Sequence, residues 1–229
     1  MRQHAMVVVA AAALLGIAST TLADPQYGGM GPGGRSGPGR GGEPGLDSRA
    51  HGDDKPDIAA RKAYAAGIKS LNKAKAYEEQ AQQEKNPDKK NNALGKATEA
   101  YYRALDQFTI ALDNKGDMAE AWNGAGYVHL HIGAYGEALD DYNHDLKLSP
   151  DDMDAIANRA EACLQLGRLD DVRLAFLDLY NHARERADQL MHSMQRWLAD
   201  RRTDPAGFKP AQLDDFQQWI EERLKSAGA

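Results

Sequence analysis

From Pro56 onward, apolar residues recur at steps of three and four, and no stretch alternates apolar with polar. With 3.6 residues per helical turn, such spacing gathers apolar side chains on one face of an α-helix. An all-α chain is predicted. Beyond residue 55 the prolines are Pro56, Pro87, Pro150, Pro205 and Pro210, so long stretches are free of helix breakers. A first helix is expected over Ile58–Gln83, with Ala63, Gly67 and Leu71 on one face. Thr98–Leu112 reads as the packed part of a second helix, carrying Ala104, Phe108 and Ala111. The polar run KNPDKKNN cannot be that helix's packing partner. The partner expected is the helix over Ile58–Gln83, in an extended first hairpin with a turn at Asn86-Pro87 between the two. Further on, Val172, Phe176, Tyr180, Ala183, Ala187, Leu190, Met194 and Leu198 make one stripe. It predicts either one helix from Leu169 to about Arg201 or a break near Asn181. A last helix begins at Lys209-Pro210, with Leu213, Phe216, Ile220 and Leu224 as its apolar face and Trp219 beside it.

The helices repeat. A shift of 34 residues carries Tyr101 onto Tyr135 and Leu169, and Ala104 onto Ala138 and Val172. It carries Phe108 onto Tyr142 and Phe176, Gly126 onto Ala160, Leu130 onto Leu164, and Gly133 onto Gly167. A fixed period of this length marks a stacked array of helix pairs. Residues 119–152 resemble the tetratricopeptide repeat, through Trp122, Gly126, Gly133, Tyr135, Ala138, Tyr142 and Pro150. That resemblance implies an α-solenoid over residues 56–202. In it Gly126 and Ala138 sit where two helices approach closely, and Trp122, Tyr142, Phe108 and Phe176 fill space between units. Gly133 supplies a positive φ at a helix end, and Pro150 separates two units. Arg184 stands where the next unit would carry proline. An array exposes an apolar face at its end, so residues 203–229 are expected to cap it. Occupation of the array's groove and a dimer contact are the alternatives for that helix.

Residues 1–23 carry Arg2, an uncharged run over Ala5–Ala18, and small residues at Thr21 and Ala23. This pattern is that of a cleaved secretory signal. The run is too short for a membrane-spanning helix, which needs about 20 apolar residues. No membrane span is therefore expected after cleavage, and the protein is expected in the periplasm or outside the cell. Asp24–Ala50 holds ten Gly and four Pro, so a disordered linker is expected over residues 24–55.

Charge then narrows the role. Beyond residue 50 the chain has 24 basic and 31 acidic residues, a net of −7, which argues against a nucleic-acid partner. The one cysteine, Cys163, excludes an intrachain disulfide and a multi-cysteine zinc site. His129 and His131 are two apart on a helix and point to different faces, and His144 lies one helix later, so no metal site is read. Asp113–Asp117 reads as a turn between repeats, and Asp151, Asp152 and Asp154 as helix-start acids. No catalytic residue and no cofactor are read.

The resemblance implies that the first helix of each unit faces a concave groove holding a protein or peptide. The groove candidates are Glu120, Asn123, Tyr127, Leu130 and His131, then Asp154, Ala157, Asn158, Glu161 and Gln165. They include acids and no Lys or Arg, so the expected partner is neutral or basic. The expectation is an exported adaptor serving an envelope assembly. The alternatives are a self-associating structural protein and, behind it, a metal-binding protein or enzyme.

Overall fold

The structure, a computed structural model, describes residues 54–227. The expected signal and nearly all of the expected linker lie outside the described residues. Within them the chain forms α1 (Asp54–Gln83), α2 (Pro87–Asn114), α3 (Ala119–His131) and α4 (Tyr135–Leu148). Then come α5 (Met153–Gln165), α6 (Leu169–His182), α7 (Arg184–Thr203) and α8 (Pro210–Ala227). No strand occurs among the described residues, and each helix packs on its neighbours in the chain, giving an all-α, solenoid-like array. Helix α1 already begins at Asp54, so residues 54 and 55, expected to belong to the linker, are helical.

Helices α1 and α2 form the extended first hairpin. Asn86 turns the chain: its side chain accepts from the backbone N–H of Asp88 (3.0 Å) and Lys89 (3.1 Å), and Pro87 opens α2. The seam is alanine-rich. Ala60, Ala63, Leu71, Ala74 and Ala81 of α1 and Ala93, Ala97, Ala100, Ala104 and Ala111 of α2 are all buried. Small side chains let the two backbones lie close over most of their length. Lys115, at the end of α2, reaches back to Asp57 at 2.6 Å and holds that carboxyl below its usual range.

The next four helices repeat in register. α3 and α5 have 13 residues each, α4 and α6 have 14 each, and each pair is offset by 34. The turns repeat too. Gly133 (φ 82°) donates to the Leu130 carbonyl while Ala134 donates to that of His129. Gly167 (φ 71°) donates to Leu164 while Arg168 donates to Cys163. Both are Schellman ends, in which glycine takes the left-handed backbone at no steric cost. Gly126 meets the Tyr142 ring, where an added Cβ would stand 2.9 Å from Cε1. Tyr142, Phe108 and Phe176 are buried.

Several expectations need correction. Trp122 is only half-buried: it stacks on His144 at 4.4 Å and donates to the Gly116 carbonyl at 2.9 Å, sealing the rim of a junction. Pro150 is exposed and stops α4, while Asp152 is the residue that caps α5, accepting from Asp154 and Ala155. Of the two arrangements expected for the long stripe, the broken one occurs. Ala183 (φ −147°, ψ 69°) ends α6 and precedes α7, two residues past the expected break. The break turns the apolar face of α7 onto α5, which a straight continuation of α6 would leave uncovered. On α8, Leu213, Phe216 and Ile220 are buried but Leu224 is not.

Helix α8 closes the array. Phe216 meets Trp197 of α7 edge-on at 5.9 Å, and Trp219 meets Phe176 of α6 edge-on at 5.4 Å. Arg173 of α6 lies under both α8 rings and pairs with Asp215 at 2.5 Å. One core runs from Leu130 through Phe176 and Trp197 to Ile220, so α8 covers what would otherwise be an open end.

Candidate functional site

Backbones approach closely between α1 and α3, α3 and α5, and α5 and α7; α2, α4 and α6 show no comparable pairing. The odd-numbered helices therefore form the inner layer of the array, and the candidate site lies on them.

On α3 the inner face is packed rather than open. Tyr127 stacks on His131 at 4.0 Å, and the Lys75 ammonium from α1 sits 4.4 Å over the Tyr127 ring. His131 packs also on Tyr101 at 5.4 Å. Its Nδ1 is 3.0 Å from the Tyr127 carbonyl, which only accepts, so Nδ1 carries the proton. Burial, with some help from Lys75, pushes the His131 pKa down to about 4 and keeps the ring neutral. Burial raises Glu78 and lowers Lys75, opposed in each case by the other's charge. The Tyr101 hydroxyl is buried beside Glu78.

Asn123 is not a groove residue either. Its side-chain amide donates to Asp145 at 3.1 Å and to Asp152 at 3.3 Å, binding α3 to α4 and to the start of α5. Asp145 is fully buried and one of its oxygens has no partner. Burial, then the nearby Asp152 charge, pushes its pKa up to about 6. Leu130 is 2% exposed and belongs to the core. Helical spacing had given these residues a common side of α3, but a wheel does not say which neighbour covers it.

On α5 the expectation fares better. Asn158 and Glu161 line a cleft of about 330 Å³ between α5 and α7. Arg186, Gln189, Ser193 and Arg196 of α7 form the facing wall. Asp154 pairs with Arg186, whose Nη1 donates to Gln189 at 3.0 Å. Arg196 donates to the Ser193 hydroxyl at 3.2 Å. Glu161 is 6% exposed. Burial pushes its pKa up to about 7, against the pull of a hydrogen bond from Ser193 and the Arg196 charge. Gln165 is half-buried and Glu120 exposed.

The α7 wall escaped the sequence reading, which weighed one helix from Leu169 to about Arg201 against a break near Asn181 and placed no groove residue there. The signal was present: Leu198 stands 34 residues after Leu164, itself 34 after Leu130. The finding brings guanidinium groups onto a face that was read as lacking Lys and Arg. The three histidines have separate roles: His129 pairs with Asp141 at 2.6 Å, His131 stacks on Tyr127, and His144 stacks on Trp122. Cys163 is a buried free thiol, and burial pushes its pKa up.

Fold and site together define a helical repeat array with a polar cleft on its inner layer. No protein-family model matches the sequence, and no curated protein matches it.

Proposed function

We propose that this chain is an exported adaptor of tetratricopeptide type. In this reading it holds a neutral or basic protein segment on its inner layer, within an envelope assembly. The observation that carries it is the register: α3–α4 and α5–α6 are copies offset by 34 residues, down to the paired glycine turns. Stacked repeats of this kind present an extended face built from side chains of several units, which suits an extended partner. The leader-like pattern over residues 1–23 supports export, and the buried Cys163 supports binding rather than nucleophilic chemistry.

Photo-crosslinking side chains at Gln165 and Gln195, on the inner layer, are compared with one at Asp140, exposed on α4. The adaptor reading expects one common partner from the first two positions and none from the third. Equal capture from all three would sink it.

Self-association is a second reading. It is favoured by Leu174 (67% exposed) and Leu177 (40%), which share the outer face of α6. Sedimentation at increasing concentration decides, and a strict monomer removes it.

A further inference from the structure

Within the α5–α7 cleft, polar side chains of the two walls hydrogen-bond one another, and one buried carboxylate oxygen is left without a partner. Arg186 is engaged by Asp154 and Gln189, and Arg196 by Ser193. Ser193 in turn hydrogen-bonds Glu161. Glu161 Oε2 is buried and has no partner. A carboxylate accepts up to about four hydrogen bonds, and a buried acceptor left unfilled is unfavourable. The unmet need of the cleft is therefore a donor.

We propose that this cleft receives one cationic side chain of the partner, an ammonium or guanidinium group, on the Glu161 carboxylate. The inference rests on the adaptor reading and names its anchor. The volume of about 330 Å³ equals the share of roughly ten waters, enough for one lysine or arginine side chain. Ala157 and Leu190 supply apolar wall along which an aliphatic stem can lie. An anion would face the Glu161 carboxylate, and Arg186 is already paired with Asp154. Burial raises the Glu161 pKa to about 7, and a cation placed on the carboxylate would favour its charged form.

The test is an NMR titration of the intact chain with acetyl-Ala-Lys-Ala-amide and its arginine counterpart. Norleucine and aspartate counterparts serve as controls. The cationic peptides are expected to shift the resonances of Glu161 and Ser193 saturably, with Kd in the millimolar range. They should bind at least about tenfold more tightly than the norleucine peptide. Glu161→Gln should remove that advantage, and Ala157→Leu, which narrows the cleft while leaving Glu161 in place, should weaken all binding. If Glu161→Gln does not fold, as judged by circular dichroism, Ala157→Leu decides. Equal binding of the norleucine or aspartate peptide, or no saturable shift with any peptide, overturns the proposal. The titration uses no natural partner. Its failure with inner-layer cross-links intact therefore overturns the cleft alone, and the reverse outcome overturns the adaptor reading alone.

Discussion

Gly124 of α3 faces the ring of Phe108 of α2 so closely that an added Cβ would lie 2.6 Å from Cζ. Gly67 of α1 faces the same ring at the same distance, so Phe108 is clamped between two helices and cannot shift aside. Gly124→Ala gains about 1 kcal/mol of helix propensity but overpacks a fixed ring, which costs about 1–3 kcal/mol. A net loss of up to about 2 kcal/mol is expected in urea unfolding. In a Phe108→Leu background the same change should be neutral or favourable. A loss that persists there would place its cause elsewhere.

The two glycine turns separate backbone strain from packing. A Cβ at Gly133 meets nothing within 4 Å, while at Gly167 it stands 2.2 Å from Cζ of Phe208. Gly133→Ala should cost about 1 kcal/mol, the penalty of a left-handed alanine. Gly167→Ala should cost at least about 1 kcal/mol more. Phe208→Ala should bring the two substitutions level, which thermal unfolding of the four variants checks.

The hydroxyl of Tyr142 is buried without a partner, and the equivalent positions one period away hold Phe108 and Phe176. Tyr142→Phe removes a group that folding leaves unsatisfied. An unchanged or higher stability is expected, by up to about 1 kcal/mol. A loss of more than about 1 kcal/mol would reveal a hydrogen bond through bound water.

Asp145 and Glu161 both have raised pKa values in the fold, about 6 and about 7 against ordinary values of 3.8 and 4.5. The native state then holds protons that the unfolded chain has released. The stability linked to Asp145 is complete below pH 4 and is lost as the pH rises to about 6; for Glu161 the loss runs from about 4.5 to 7. His131 acts in the opposite sense between about 4 and 6.5, because its native pKa is depressed. Asp145→Asn should raise stability at pH 8 by about 1–2 kcal/mol and much less at pH 4. Urea unfolding at the two pH values checks this, and an equal gain at both would remove Asp145 from the pH response.

The sequence alone determined the helical class, the 34-residue register and the long first hairpin. These are encoded locally. Gly133 and Gly167 mark turns because only glycine takes their φ without strain, Asn86-Pro87 starts a helix, and alanines space a seam. The inner face was partly legible, since Asn158 and Glu161 were found from their place in the repeat. Tertiary structure decided the rest. The break at Ala183 carries neither Gly nor Pro and follows from α7 packing back onto α5. That packing supplied Arg186, Ser193 and Arg196 to the cleft. It also left Glu161 with an unfilled oxygen, while Asn123, Leu130 and His131 were drawn inward by neighbours far along the chain. Periodicity states which residues share a side of a helix. Which side is covered, and by what, depends on contacts that no local pattern records.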